Sequence, residues 1–584
     1  ILRGVPPSFK QSMKETYTDY QIWLDSYIEE YCALRDHGTF DVITAQEYAL
    51  KYSHITVIPT MNVQTIKKDE LGLPVRAKSR IVVLGNLEDT IWTNSEVHAP
   101  VLRKESDRLL TTIAVDIGKP QKQGDCKNAF CHPVLPDDET VIIRPPPGCP
   151  ISQPGEYWLL RKTLYGLRRS PKHWYEALRA ALLKVGMSPC AHDPCVFTGV
   201  LVKGEPPLYL GVYVDDFTYV SASDAVERVF EQALSLELKI DWMGEVAWFL
   251  GKCYDWQTDA DDNLTVSITQ TAKIEAMLED FDMSECNAVR SPYRSGLTID
   301  SIARDNVTPD NKPEIVKPYQ RMVGGLNWLS ISTRPDLAVS VSLLSQFMQN
   351  PSSGHIIAGK RVLAWLSGTR NHGLRYTQGG RFTESLIGWV DKPAPSPLCE
   401  TFTNANWGPQ EASHPHEDMV EMIPTDSVRS LLRHTCIGMG GPVAWGCTRE
   451  PKTSRSSCEA EIFSMDEGYK TSEMLYHLMT DLKLPDVTNG IPMFKDNKGT
   501  VDWSQQGCSV LKKLRHLNIR KISVHHACNA GYVDIEHVPG HSNVSNIFTN
   551  EHKSNETFVQ LAFHLIHPRD LNNRWTHISP TPTS

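Results

Sequence analysis

The stretch LYLGVYVDDFTYV, residues 208–220, constrains the fold more than any other segment of the chain. Tyr209, Val212, Tyr213, Val214, Phe217, Tyr219 and Val220 are β-branched or aromatic, the residue types that suit a pleated, packed surface, so the run predicts strand, tight turn, strand. The charges in it, Asp215 and Asp216, then fall at the hairpin tip. Asp suits turn geometry, and a rigid sheet can hold both side chains toward a cleft. An ordinary acidic turn on a surface hairpin has the same local signature, so the pair needs support from elsewhere in the chain.

A chain of 584 residues is too long for one core, and about three to five domains or subdomains are expected. A hydrophobic content of 40% with 22% charged residues places it among globular proteins that bury large cores. It contains no apolar run long enough for a transmembrane helix and no secretory leader pattern. It begins with Ile rather than Met, which is expected of a piece of a longer polyprotein. The 14 cysteines include no CxxC pair, which argues against a disulfide framework or a zinc ribbon and for reduced, intracellular thiols. CKNAFCH (Cys126, Cys131, His132) and PCAHDPC (Cys190, His192, Cys195) match no zinc spacing.

A net charge of −10 excludes a uniformly basic nucleic-acid coat but not local patches. The best patch is LLRKTLYGLRRSPKHWY, where Arg161, Lys162, Arg168, Arg169, Lys172 and His173 interleave with Tyr165, Trp174 and Tyr175. Cations for phosphates and flat rings for bases suit a strand-tracking groove, and a solvated helix face reads equally well. Periodicity predicts a helix over 15–36 with Tyr20, Trp23, Tyr27, Tyr31 and Leu34 on one stripe. SRIVVLGN reads as a strand, and RPPPGCPISQPGEYW as a loop. Two packing helices follow, one with Leu337, Val341, Leu344 and Met348 inward, the other with Ala358, Val362, Trp365 and Leu366. Loops are expected over 390–425 and a further α/β region to about 570. No tandem repeat and no GxxxxGK phosphate loop is present.

The order is informative: Asp125 in QKQGDCKNAF, then the basic aromatic segment, then Asp215 and Asp216. With AKSRIVVLGN, WFLGK and YQRMVGGLNWLSISTRPDLAVSVSLLSQFM, it resembles the Pol polyprotein of copia-type LTR retrotransposons in its reverse transcriptase and ribonuclease H-like region. The resemblance implies an α+β, right-hand polymerase with fingers and palm over 1–255, thumb over 256–318 and helical connection over 319–380. An α/β ribonuclease H-like domain over 381–570 and a tail, 571–584, complete it. The implied activity is RNA- and DNA-directed DNA synthesis, and a non-catalytic nucleic-acid-binding relic is the alternative. Two divalent ions, Mg2+ or Mn2+ in its place, stabilise the attacking and leaving oxygens in such a transfer, and hard cations prefer carboxylates.

By the same resemblance Asp125 and Asp215 ligate both ions and Asp216 is more peripheral. Asp116 rivals Asp125 on charge but lacks the following KNAF. Lys78 and Arg80 meet the incoming triphosphate, Phe130 closes the pocket against a ribose 2′-hydroxyl, Tyr165 and Gly166 lie beneath the nascent base pair, and Leu250 and Gly251 form the primer grip. Core packing is the alternative reading of Phe130, Tyr165 and Leu250. The implied partners are RNA template, DNA primer/template, deoxynucleoside triphosphates and other parts of the polyprotein. The implied setting is a cytoplasmic particle with a nuclear stage and no membrane.

In the ribonuclease H-like part the family uses four acids. Glu459 in SSCEAEIFSM and Asp496 in MFKDNKGT are present, whereas Asn404 and Asn406 stand in TNANWG and Asn546 stands in SNIFTN. Asn404 and Asn546 thus replace two of the four ligands, and an amide brings no negative charge to balance a cation. Severe loss of RNA cleavage is expected, with the fold retained, and His541 would have little to assist.

Overall fold

The acidic hairpin forms as its residues dictate. Leu208–Tyr213 and Asp216–Ser221 pair antiparallel, with Tyr213 facing Asp216 across the turn. Both strands are buried apart from the residues next to the turn, so this is a central hairpin and not a surface one. The computed structural model that shows this describes residues 5–6, 8–68, 74–293, 312–380, 399–405, 430–450, 454, 457–485, 487, 490–505, 523–548 and 555–568. The described residues fall into two units, one within Ile1–Leu102, Lys122–Pro189 and Pro194–Gly244, the other within Arg103–Gln121, Cys190–Asp193 and Glu245–Ser584.

In the first unit the hairpin is the middle of a six-stranded sheet ordered Ile240–Glu245, Lys122–Cys126, Asp216–Ser221, Leu208–Tyr213, Val196–Gly199, Ser188–Pro189. Helices Ser170–Lys184 and Asp224–Glu237 cover it, and Trp174, Leu178, Leu182, Val226, Phe230 and Leu234 share one core with Phe217 and Tyr219. A second sheet runs Phe40–Thr44, Glu156–Leu160, Ile142–Arg144, Val57–Lys68, Pro74–Val83. The strand expected at SRIVVLGN therefore starts earlier and ends at Val83, before a 3-10 turn at Gly85–Leu87. The first long helix is Tyr20–Asp36, with Asp19 at its N-cap and Trp23, Tyr27, Tyr31 and Leu34 buried. It begins after the β-branched and aromatic run Thr16–Thr18, which disfavours a helix start upstream.

In the second unit helix Lys104–Ile117 is buried along most of its length. One sheet runs Trp248–Phe249, Lys252–Thr258, Leu264–Thr269, His372–Thr377, His567–Pro568. The other runs Gly441–Arg449, Leu431–Gly438, Glu400–Ala405, Ile491–Lys495, Val533–His537, antiparallel over its first three strands and parallel over its last three. Helix Ser457–Asp481 packs on the face that carries Thr401 and Thr403. The packing stripes hold, but the first helix is broken: Pro335–Leu337 is a 3-10 turn and Ala338–Ser345 the helix. The TRPD sequence explains the break. Arg334 and Asp336 are fully buried and bound twice, at 2.9 and 2.7 Å, and Trp365 Nε1 donates to the same carboxylate at 2.7 Å. A buried ion pair persists only when its remaining hydrogen-bonding capacity is met, as it is here. The architecture is α+β. The described cysteines are free, and no helix among the described residues is long and apolar enough to cross a membrane.

Candidate polymerase and nuclease-like sites

Strand Lys122–Cys126 lies beside the hairpin with Asp125 directly opposite Asp216. Directly opposed residues of an antiparallel pair share one face, with Cβ atoms about 5 Å apart. The Cys126 N–H donates to the Asp215 carbonyl at 2.9 Å, which ties the third acid to the end of the same strand. Gly124 makes the approach possible, because a Cβ there would meet the Phe217 ring at 2.5 Å. The turn itself is strained: Val214 has φ +60°, rare for a β-branched residue.

Two of the three acids are perturbed by their neighbours. Asp125 is pushed up by burial and then by Asp215, against an opposite pull from Lys78 and Lys67. Asp216 is pushed up to about 7 by burial, then by Asp215 and Asp125, and it hydrogen-bonds the Asp125 side chain. Partly buried acids held this close carry an excess of negative charge that a hard cation would remove. The donor set, all carboxylate oxygen, suits Mg2+ in kind. Among the described residues, however, no three such groups already converge on one point.

Around these acids the same unit gathers most of the other expected residues. Lys78 and Arg80 alternate on strand Pro74–Val83, so both point to one face, opposite Thr65 and Val63. Burial and the neighbouring Arg80 and Arg76 hold the Lys78 ammonium below its usual range. The Arg80 guanidinium lies 5.8 Å over the Tyr165 ring, and Tyr165 meets the Phe130 ring edge-on at 5.1 Å. Burial, and more weakly Asp215, raise the Tyr165 phenol. Gly166 has φ +93°, and a Cβ there would lie 2.1 Å from the Val83 carbonyl. The Val83 N–H donates to the Tyr165 carbonyl at 2.7 Å. Leu250 and Gly251 belong to the second unit, where both take positive φ, 49° and 72°, at the tip of the hairpin joining Trp248–Phe249 to Lys252–Thr258. Asp116 also lies there, exposed near the end of helix Lys104–Ile117.

The basic aromatic segment, read from the sequence as either a strand-tracking groove or a solvated helix face, turns several of its side chains inward. Arg161 pairs with Asp41 at 2.7 Å, Arg169 with Glu139, and His173 lies 3.5 Å from Glu139. Arg169 also stacks 4.6 Å over the Trp92 ring, and Lys172 donates to the Ser95 carbonyl at 2.9 Å. Trp174 is only 2% exposed and donates from Nε1 to the Val214 carbonyl at 2.7 Å. Arg161, Arg169 and Lys172 thus have partners within the protein, and burial lowers the His173 imidazole below its usual range. Arg168 remains exposed.

In the second unit Thr401–Thr403 runs parallel to Met493–Lys495, which brings Asn404 and Asp496 side by side at the strand ends. Asn404 Nδ2 donates to Asp496 Oδ2 at 2.9 Å and to Asn546 Oδ1 at 2.6 Å. Asn546 Nδ2 donates to Asp496 Oδ2 at 3.4 Å and to the Gly540 carbonyl. The turn carrying Asn546 is pinned by Ser545 Oγ to the Phe402 carbonyl at 2.8 Å and by Asn543 Nδ2 to the Thr403 carbonyl at 2.9 Å. His541 is exposed on the 3-10 turn Gly540–Ser542, and Glu459 is buried at the start of helix Ser457–Asp481. Three neighbours are not evident from the sequence: Glu461, which accepts from the Ala405 N–H at 3.1 Å, the buried Lys495 paired with it, and Arg433, fully buried and opposite Asn404 in the strand register. Asn406 and the tail 571–584 lie outside the described residues.

Residues 49–295 match the reverse transcriptase (RNA-dependent DNA polymerase) family. The chain is 27% identical over 499 residues to the retrovirus-related Pol polyprotein from transposon RE1 of Arabidopsis thaliana, covering 85% of this chain and 31% of that protein. It is 25% identical over 460 residues to that from transposon TNT 1-94 of Nicotiana tabacum, covering 78% and 31%. The chain therefore spans about a third of the length of these relatives. The solved foamy viral protease-reverse transcriptase in complex with RNA/DNA hybrid superposes with a TM-score of 0.44 at 12% identity, over 90% of this chain and 54% of that one. Residues 49–295 thus match the reverse transcriptase family, and over most of its length the chain is similar to retrovirus-related Pol polyproteins of transposons.

Proposed function

We propose that the chain is a DNA polymerase that copies RNA and DNA templates by two-metal nucleotidyl transfer. The observation that carries this reading is the register of Asp125 opposite Asp216, with the Asp215 carbonyl tied to Cys126 and the Asp215 charge raising both Asp125 and Asp216. Asp125 and Asp215 would hold the divalent ions, Mg2+ or Mn2+, and Asp216 would sit at their margin. When bound, those ions supply charge neutralisation for the attacking and leaving oxygens. Lys78 and Arg80 bind the triphosphate, Arg80 with the fork geometry that phosphate oxygens favour. Phe130, braced by Tyr165, closes the pocket where a 2′-hydroxyl would enter, and Gly166 lets the backbone approach the nascent base pair. Leu250 and Gly251 form the primer-contacting turn. Template, primer and deoxynucleoside triphosphates are the partners. On this reading fingers and palm run to about residue 255, thumb to 318, connection to 380 and the ribonuclease H-like domain to 570.

The nuclease-like site is read as inactive. Amide groups at 404 and 546 hydrogen-bond Asp496, which satisfies the carboxylate without a cation. Primer extension on an RNA template with Mg2+ tests the polymerase, with Asp125→Asn as the control. Extension by the parent and none by the variant is expected. No extension by folded protein that still binds hybrid would leave the non-catalytic binding relic as the better reading.

A further inference from the structure

Both carbonyls of the acidic turn are bound from inside the protein. The Cys126 N–H holds that of Asp215, and Trp174 Nε1 holds that of Val214 at 2.7 Å. A β-branched residue at φ +60° persists only where its surroundings fix it, and Asp215 follows directly in the chain. Trp174 is well placed to supply that restraint. It is 2% exposed on helix Ser170–Lys184, and its ring packs in the same core as Cys126, Val212 and Phe217, with Val214 against that core. No other natural side chain combines this bulk with a single fixed N–H donor; Phe would fill most of the space and leave the carbonyl unbound.

We propose that Trp174 is a positioning residue of the polymerase site, its indole N–H fixing the Val214 carbonyl and so the direction in which the Asp215 carboxylate leaves the turn. The proposal rests on the polymerase reading above. It assigns Trp174 to the inside of the turn, away from the nucleic-acid groove that its neighbours in sequence suggest.

The test compares the parent with Trp174→Phe and with benzothienylalanine incorporated at 174, which keeps the two-ring shape and lacks the N–H. Four quantities are read: single-nucleotide kcat, KM for the nucleotide, the thermal midpoint, and affinity for Mn2+ alone by electron paramagnetic resonance. In both variants kcat and Mn2+ affinity are expected to fall about tenfold, the scale of one lost hydrogen bond acting on a reacting group. KM and the thermal midpoint should stay close to the parent. Unchanged kcat and Mn2+ affinity in the benzothienylalanine protein would overturn the proposal. So would a loss of kcat that tracks a fall in thermal midpoint, which marks a structural role only. If the parent extends no primer, the polymerase reading fails by itself, and the Mn2+ comparison still decides whether Trp174 sets the acids. Should Trp174→Phe not fold, the benzothienylalanine protein decides.

Discussion

Replacing Asp216 by Asn should stabilise the metal-free protein, and should do so in a pH-dependent way. Burial and two neighbouring acids lift the Asp216 carboxyl from its ordinary 3.8 to about 7. The folded value lies above the unfolded one, so between about pH 4 and pH 7 the folded chain holds a proton that the unfolded chain has released, and stability falls as pH rises through that window. The full displacement corresponds to about 4 kcal/mol, and partial exposure of the group reduces it to about 2 kcal/mol. Asn is nearly isosteric and never ionises. The gain should therefore be about 2 kcal/mol at pH 8 and below about 1 kcal/mol at pH 4. Native-state hydrogen exchange of the Asp216–Ser221 strand reads it locally. Comparing parent and variant at the same pH cancels the intrinsic exchange rate. About 30-fold greater protection of the variant is expected at pH 8 and about twofold at pH 4. Added Mg2+ should narrow the gap at pH 8, because a bound cation removes the repulsion that the substitution relieves. Equal ratios at the two pH values, or a variant less protected at pH 8, would refute the idea that these acids are held together against their own repulsion.

Gly166→Ala should cost about 3 kcal/mol of stability, combining a left-handed backbone with a Cβ set 2.1 Å from the Val83 carbonyl, and a thermal melt measures it. Phe130→Ala should leave deoxynucleotide incorporation within about tenfold of the parent while raising ribonucleotide incorporation by about tenfold or more, read by parallel single-turnover assays. The double change Asn404→Asp, Asn546→Asp should lower metal-free protection of the Glu400–Ala405 strand. Mg2+ at 100 times its dissociation constant should then return about 2.7 kcal/mol, whereas the parent strand gains nothing. The same double variant should cleave RNA in a hybrid faster than the parent, and equal rates would count against an inactive parent site.

The elements whose signal is local were legible in the sequence. Alternation and residue type give the hairpin of residues 208–221, and a three- and four-residue period gives the buried stripe of Tyr20–Asp36. What stayed hidden depends on partners far apart in the chain. Asp41 and Glu139 pair with Arg161 and Arg169 from 120 and 30 residues away, which no local pattern announces. Trp174 is the instructive miss. Grouped with its cationic neighbours it suggests a base-stacking surface, yet with Leu178, Ala181 and Leu182 it makes an i, i+4, i+7, i+8 stripe, and that period marks a buried ring. Gly124 gives no signal of its own, since the ring that needs its missing Cβ, Phe217, belongs to a strand 93 positions later. Asn404, Asn546 and Asp496 could be singled out in the sequence, but their mutual hydrogen bonds could not, because these require strand ends and a turn to meet in space.

That interlocked trio of Asn404, Asn546 and Asp496 bears on how such a domain changes over generations. An acid at 546 alone would leave the Asn404 amide donating to both neighbouring oxygens, whereas an acid at 404 alone would remove those donors and face Asp496 directly. The two single changes are therefore unequal, and the one at 546 is the milder. The amide network thus ties two strand ends and a turn to one another without calling on a cation.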